Sequence, residues 1–143
     1  MIGIYRLIKI GMAAVLLLSV ITSSMAAITV EVNGSPLAFS VPPTQVNGRI
    51  MVPLRGIFEA LGAQVDWDPT TKMISAIKGD TDVHLSIGNR DAILNGKSIR
   101  LDTPAMIIDG RTMVPLRFVS EALGANVQWF EATQTVHITD NQN

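Results

Sequence analysis

The 143-residue chain carries 11 basic and 12 acidic side chains and no cysteine. Without cysteine there is neither a disulfide bond nor a thiol nucleophile, so an apolar core has to stabilise the fold. The basic residues form no cluster that could bind a row of phosphate groups, which argues against nucleic acid as a partner.

The first 26 residues have the pattern of a secretory signal peptide. Arg6 and Lys9 precede an apolar run over residues 10–21, and small residues lead to Ala26, after which we expect cleavage. This run is too short for a comfortable membrane span, which needs about 20 residues. The alternative is that the segment is not cleaved and anchors the protein in the membrane. We therefore expect a mature chain of residues 27–143, secreted or associated with the cell wall, with no membrane contact after cleavage.

The rest of the chain contains one motif twice, at a constant offset of 62 residues. The sequence MVPLR occurs at 51–55 and 113–117, EALGA at 59–63 and 121–125, and tryptophan at 67 and 129. This pattern indicates an internal duplication with repeats over about 28–78 and 90–140. Because a repeat of this size forms only a marginal core, we predict one domain of two fused repeats, with two separate domains as the alternative.

Alternating apolar and polar residues predict short strands joined by tight turns. Residues 28–32 alternate, and Asn33-Gly34 then favours a two-residue hairpin turn. Residues 37–41 are the predicted partner strand, which ends at Pro42-Pro43. Further strands are predicted at 49–52, 64–67, 72–77, 81–87, 126–129 and 135–139, and residues 140–143 are expected to fray.

One short helix is predicted in each repeat. Leu54, Ile57, Phe58 and Leu61 recur at the spacing of one helical face. In the second repeat Ser120 replaces Phe58, which suggests that the two helices bury different faces.

Proline and glycine mark the ends of both helices. Pro53 and Pro115 suit the first helical turn, where a missing N–H is harmless. Gly62 and Gly124 suit the left-handed position that closes a helix. The fold class predicted from these elements is α+β, an antiparallel twisted sheet with two short helices.

A repeated arginine and glutamate lie four residues apart on each helix, as Arg55 with Glu59 and Arg117 with Glu121. An exposed pair at this spacing contributes only about 0.2–0.5 kcal/mol. We therefore expect the guanidinium groups to have a second structural role, such as donating hydrogen bonds to strand carbonyls.

The tryptophans of the two repeats, Trp67 and Trp129, occupy equivalent strand positions. An amphipathic strand buries one whole face, so we expect both side chains in the core. If they are exposed, they could stack on sugar rings.

The remaining candidate chemistry is sparse. His84 with Asp80 and Asp82 could support a metal-dependent hydrolase, but a metal site needs three or more convergent ligands, and the other histidine is His137 on a separate strand. Four aspartates flank one predicted hairpin and form an alternative calcium site without the pattern of an EF-hand: Asp66, Asp68, Asp80 and Asp82. We expect no metal and no cofactor.

Sequence patterns of catalysis are absent. There is no G-x-S-x-G elbow, no glycine-rich phosphate loop and no pattern that places a serine near a histidine. We therefore expect the protein not to be an enzyme.

The repeated Val-Pro-Leu-Arg, Glu-Ala-Leu-Gly-Ala and Val-x-Trp motifs, with Asn-Gly opening each copy, resemble the copper amine oxidase N-terminal-like domain, also called the stalk domain. The resemblance covers nearly all of the chain after residue 26. It implies a non-catalytic module of secreted and cell-envelope bacterial proteins, and it supplies no catalytic residues. The oxidase cofactor is made from a tyrosine, and the only tyrosine, Tyr5, lies in the predicted signal peptide.

The function expected from the sequence is that of a non-catalytic envelope module in protein interaction, scaffolding or cell-wall association. Its partner would be an unidentified envelope protein or a cell-wall polymer. The alternatives are a carbohydrate-binding module that uses Trp67 and Trp129, and a cryptic metal-dependent hydrolase. The repeated motif residues are expected to be structural: Pro53, Arg55, Glu59, Gly62, Trp67, Pro115, Arg117, Glu121, Gly124 and Trp129.

Overall fold

The computed structural model describes residues 27–141. The predicted signal peptide therefore lies outside the described residues. The described part contains thirteen strands and two helices. The strands are β1 (Thr29–Val32), β2 (Ser35–Pro36), β3 (Thr44–Val46), β4 (Arg49–Pro53), β5 (Gln64–Asp68), β6 (Met73–Lys78), β7 (Thr81–Ser86), β8 (Asp91–Leu94), β9 (Lys97–Arg100), β10 (Met106–Ile108), β11 (Arg111–Pro115), β12 (Asn126–Phe130) and β13 (Thr135–Thr139). The helices are α1 (Leu54–Ala60) and α2 (Leu116–Ala122).

The strands form three sheets rather than one. Their orders are β12-β13-β1-β2, β10-β11-β4-β3 and β5-β6-β7-β8-β9. Neighbouring strands are antiparallel except for β1 and β13, which run parallel. Mostly antiparallel sheets with two short helices make the molecule α+β, as predicted. Over residues 27–141, neither helix has the length and apolar character needed to cross a membrane.

Two of the sheets combine strands from both halves of the sequence. The last hairpin of the second half, β12–β13, joins the first hairpin of the chain, β1–β2, and Val30 lies opposite Val136. In the five-stranded sheet, β5–β6 and β8–β9 meet through β7. Each of these two sheets therefore depends on strands from both halves.

The third sheet, β10-β11-β4-β3, joins the halves through the pairing of β4 with β11. Val52 pairs with Val114, which lies 62 residues later, while Met51 pairs with Pro115 and Pro53 with Met113. This register is symmetric about the Val52–Val114 pair, so equivalent residues have equivalent neighbours across the ladder.

The core is continuous between the halves and lies under both helices. The helices bury residues at matching positions: Leu54, Ile57 and Phe58 in α1, and Leu116, Val119 and Ser120 in α2. The prediction that they bury different faces is therefore wrong. Matching docking of the two helix backbones keeps Ser120 inside although it is polar.

Both helices end in the same hydrogen-bonded turn. Gly62 has φ +76° and donates its N–H to the carbonyl of Glu59 at 3.0 Å, while the N–H of Ala63 reaches the carbonyl of Phe58 at 2.9 Å. This is a Schellman motif, which satisfies carbonyls that would otherwise lack a donor. Gly124, with φ +91°, closes α2 in the same way. Pro53 and Pro115 lie one position before the first helical residue, as the last residues of β4 and β11.

Two predictions near the chain ends are wrong. Residues 37–41 form no strand, because only the N–H of Leu37 still reaches β1, at the carbonyl of Val30. The strand in this region is β3, a three-residue strand that the alternation pattern missed, and β10 is its equally short counterpart. The prediction that residues 140–143 fray is wrong for Asp140, which is buried and whose carboxylate accepts hydrogen bonds from Lys78 Nζ at 2.9 and 3.0 Å. Residues 142–143 lie outside the described residues.

Candidate functional site

The structure has two clefts, one at the beginning of each helix. The first-repeat cleft, with a volume of about 380 Å³, is lined by Ala38, Phe39, Ser40, Pro53, Leu54, Arg55, Gly56, Trp67, Gly110, Arg111 and Thr112. The second-repeat cleft, with a volume of about 500 Å³, is lined by Gln45, Gly48, Arg49, Ile50, Ile99, Arg100, Leu101, Asp102, Thr103, Pro115, Leu116, Arg117, Phe118, Glu121, Val127, Trp129 and Val136. Each cleft combines one repeat's helix start and tryptophan with the Gly-Arg turn of the other repeat.

The two clefts are equivalent under the 62-residue offset. Every residue that lines the first-repeat cleft has a counterpart that lines the second-repeat cleft. Arg55 corresponds to Arg117 and Trp67 to Trp129, while Arg111 corresponds to Arg49. The repeated motif thus surrounds two matching depressions, which the sequence could not reveal because their walls come from distant segments.

The arginines of the second-repeat cleft are paired with acids. Both Nε and Nη2 of Arg49 donate to Oδ2 of Asp102, the Nε contact at 3.1 Å. Arg117 Nη1 lies 3.8 Å from Oε1 of Glu121 and donates to the carbonyl of Val127 at 3.2 Å. The role expected of Arg55 and Arg117 as donors to strand carbonyls is therefore seen at Arg117.

The arginines of the first-repeat cleft have no such partners. Over residues 27–141, neither Arg55 nor Arg111 has an ion pair or a side-chain hydrogen bond, and Arg55 does not pair with Glu59. No carboxylate lines this cleft, since Ser40 occupies the position of Asp102. The ion pair expected between Arg55 and Glu59 is absent, whereas its counterpart between Arg117 and Glu121 is present although both of those side chains are also exposed. Two guanidinium groups therefore remain open to solvent.

Each cleft has an aromatic wall. Trp67 and Trp129 are half-buried and pack against the core, so each indole has an inner part in the core and an outer part in its cleft. Trp129 Nε1 donates to Glu131 Oε2 at 2.7 Å. The expectation that both tryptophans are core residues therefore holds for only part of each ring.

A second aromatic residue reaches each cleft from a different element. A Cβ on Gly56 would lie 2.7 Å from Cδ1 of Phe39, so the Phe39 ring occupies the space over this helix position. In the second repeat the helix position carries Phe118, and the counterpart of Phe39 is Leu101. The phenylalanine thus belongs to the helix in the second repeat and to the segment before β3 in the first, and both clefts keep an apolar wall.

The histidine candidate for a hydrolase belongs to a hydrogen-bonded chain outside both clefts. His84 Nδ1 lies 3.0 Å from Ser75 Oγ, and Nε2 lies 3.0 Å from Asp82 Oδ2. No sequence motif had indicated this contact between a serine and a histidine. The turn at Gly79 could have revealed the contact, because pairing Lys78 with Thr81 places Ser75 opposite His84.

The roles of the two ring nitrogens differ from those in a serine-hydrolase triad, in which Nε2 faces the serine and Nδ1 the acid. His84 has the reverse arrangement. None of Ser75, Asp82 and His84 lines a cleft described above. The arrangement is that of a cross-strand hydrogen-bond chain that links β6 to β7.

The four aspartates proposed for calcium do not converge. Asp68 Oδ1 instead accepts hydrogen bonds from the backbone N–H groups of Thr70 at 2.9 Å and Thr71 at 3.4 Å. These donors favour the carboxylate form and hold the pKa of Asp68 below its ordinary value. Within the described range, no three His, Asp or Glu side chains are grouped as a metal site would require.

Comparison with known proteins identifies relatives of two kinds. An 88-residue stretch, 61% of the chain, is 32% identical to the primary amine oxidase of Klebsiella aerogenes, and 139 residues, 92% of the chain, are 27% identical to a protein of Brevibacillus choshinensis named protease inhibitor. The matches cover 12% and 43% of these relatives, respectively, so the chain corresponds to only part of each.

Residues 31–138 match the family described as copper amine oxidase N-terminal domain. The match includes both repeats and both clefts. This domain is a non-catalytic part of amine oxidases, in agreement with the resemblance seen in the repeated motifs. The chain belongs to the copper amine oxidase N-terminal domain family.

Proposed function

We propose that the protein is a secreted, non-catalytic binding module that acts through protein interaction at the cell envelope. The observation that carries this proposal is the pair of equivalent clefts, each of which presents an indole face and a guanidinium group at its rim. Tryptophan and arginine are the residue types that contribute most often to binding energy at protein interfaces. A relative named protease inhibitor, which matches 92% of the chain, supports a binding role.

The proposal includes the processing and domain organisation expected from the sequence. The signal peptide at residues 1–26 would be removed, and residues 27–143 would form one domain that arose by duplication. The helix bounds, which differ by 62 at both ends, support the duplication. The core shared by both halves supports a single domain.

Affinity capture from the native envelope tests the protein-interaction proposal. The mature chain is immobilised beside a variant with both rim arginines reversed, Arg55→Glu with Arg117→Glu, and beside a control with Arg90→Glu, an exposed arginine that lines neither cleft. We expect a defined protein to bind the mature chain and the control in fixed proportion, and the double variant to lose it.

If the double variant still bound the same protein, the proposal that the clefts bind the partner would be contradicted. Because one relative is named a protease inhibitor, the captured fraction is also assayed for peptidase activity with and without the mature chain. Inhibition would define the partner as a peptidase, and a partner without peptidase activity would define a different protein interaction.

The second candidate function is carbohydrate binding, favoured by the outer part of each indole ring in its cleft. A sugar stacked on Trp67 or Trp129 would shift the fluorescence emission to shorter wavelength by excluding water. Titration with soluble cell-wall glycan fragments measures this shift. Emission that does not change at saturating glycan would contradict carbohydrate binding.

A further inference from the structure

We infer that the first-repeat cleft binds a carboxylate group of a peptide, with Arg55 and Arg111 as its cationic partners and Trp67 as an adjacent apolar wall. This inference rests on the proposed protein-interaction function, for which it specifies a site and the chemistry of the partner.

The second-repeat cleft supplies the first argument, because it contains a carboxylate in the corresponding place. Asp102 accepts two hydrogen bonds from the guanidinium group of Arg49. Both residues line the cleft beside Trp129. A carboxylate that belongs to a polypeptide therefore pairs with this arginine at the cleft, where both side chains remain more than half exposed.

The first-repeat cleft has the same arginine but lacks the acid. Arg111 is the counterpart of Arg49, and Ser40 is the counterpart of Asp102. Arg111 has no ion pair among the described residues. A carboxylate from outside the chain could therefore take on Arg111 the place that Asp102 takes on Arg49.

The charge of the lining supplies the second argument. Arg55 and Arg111 are the charged residues of the first-repeat cleft, and the nearest acids along the chain, Glu59 and Asp109, do not line it. Two guanidinium groups around one concave surface attract an anion, and the planar fork of each can donate two hydrogen bonds to a carboxylate.

The remaining lining favours a peptide over a sugar acid. It consists mainly of apolar side chains such as Phe39, Leu54 and Trp67, with Ser40 and Thr112 as the hydroxyl groups. Apolar walls suit the residues that flank an acidic side chain, whereas a sugar ring needs several directed hydrogen bonds to its hydroxyl groups.

The chain offers a direct assay, because it has two tryptophans and each lines one cleft. The two indole N–H signals in a nitrogen-15 NMR spectrum therefore report the two clefts separately. The probe is a pentapeptide, acetylated and amidated at its ends, with one glutamate between two phenylalanines. Its control is the same peptide with glutamine.

We expect the glutamate peptide to shift the Trp67 signal in a saturable manner and to leave the Trp129 signal in place. The Arg111→Gln variant should weaken the affinity roughly tenfold or more, because it removes a charge-assisted hydrogen bond to the carboxylate. The Arg90→Gln control should bind as the unsubstituted protein does, because Arg90 is exposed and lines neither cleft.

Exchange of the residues at the two equivalent positions provides the sharper test. Ser40→Asp should place an internal carboxylate beside Arg111 and abolish the response of Trp67. Asp102→Ser should release Arg49 and give Trp129 a response that it lacks in the unsubstituted protein. Dispersed spectra of both variants will show that they are folded.

Several results would overturn the inference. These are an equal response to the glutamate and glutamine peptides, an equal response at both tryptophans, and a Trp67 response that survives Ser40→Asp. A shift of Trp67 with glucuronate but not with the peptide would assign the cleft to an acidic sugar instead. An envelope partner captured in the earlier experiment by a variant with Arg111→Gln would leave protein interaction intact while removing this site from it.

Discussion

At the scale of single residues, the hydroxyl group of Ser120 is the clearest misfit in the core. The side chain is fully buried, and its Oγ has no hydrogen-bond partner among the described residues. A buried hydroxyl without a partner loses its hydration without compensation, at a cost of about 1–3 kcal/mol. The counterpart in the first repeat is the apolar Phe58, which fits the same environment without this cost.

We therefore predict that Ser120→Ala stabilises the protein. The free energy of unfolding should rise by about 1 kcal/mol, because the variant removes the orphan hydroxyl and improves helix propensity. Urea denaturation followed by circular dichroism measures the change. The control is Ser98→Ala on exposed β9, which should change stability by no more than about 0.5 kcal/mol. A loss of stability in Ser120→Ala would indicate a hydrogen bond to buried water.

A second residue-scale prediction concerns the ion pair at the end of the chain. The Asp140 side chain is 4% exposed and that of Lys78 is 21% exposed, with 2.9 Å between Nζ and Oδ1. Replacing Lys78 removes both of the hydrogen bonds that its Nζ donates to this buried carboxylate. Lys78→Met should therefore lower the free energy of unfolding by about 3 kcal/mol. Urea denaturation at neutral pH checks this value, and the exposed Lys97→Met is the control. Equal stability of the two variants would contradict the assignment.

At the scale of elements, the two helices solve one packing problem in two ways. In α1 a glycine lies under the Phe39 ring, and in α2 the ring belongs to the helix itself, as Phe118, opposite the smaller Leu101. Each cleft therefore contains one phenylalanine ring in addition to its tryptophan. Packing therefore constrains the two facing positions together: one of them carries the phenylalanine and the other a smaller residue.

We predict that Gly56→Phe destabilises the protein by about 1–3 kcal/mol, because its Cβ and ring would collide with Phe39. The double variant with Phe39→Leu should recover most of this loss, since it recreates the combination of the second repeat. A double-mutant cycle by thermal or urea unfolding gives the coupling energy. Additive effects of the two substitutions would show that the rings do not compete for the same space.

The elements also show what local sequence could and could not predict. The helix and its end at Gly62 followed from a four-residue apolar stripe and one glycine, because capping is a local property. The three-residue strands β3 and β10 escaped detection because three residues carry too little alternation. The clefts could not be predicted, because Arg111 and Trp67 come together only through the pairing of β4 with β11.

At the scale of the whole molecule, neither repeat contains a complete sheet. β1 needs β13, β4 needs β11, and β7 needs β8, and in each pair the two strands come from different repeats or from the segment between them. The core cluster likewise includes residues from both halves. Separating the repeats would therefore expose apolar surface on every sheet, which a segment of about 60 residues cannot offset.

The interleaved sheets predict that segments 27–88 and 89–143 are each unfolded alone and fold together when mixed. Isolated segments should give poorly dispersed NMR spectra and no cooperative unfolding, since each has lost the strands that pair with its own. An equimolar mixture should recover the dispersed indole signals of the intact chain, with a dependence on concentration that the intact chain lacks. Cooperative unfolding of either segment alone would contradict this prediction, because it would show that one repeat is an independent domain.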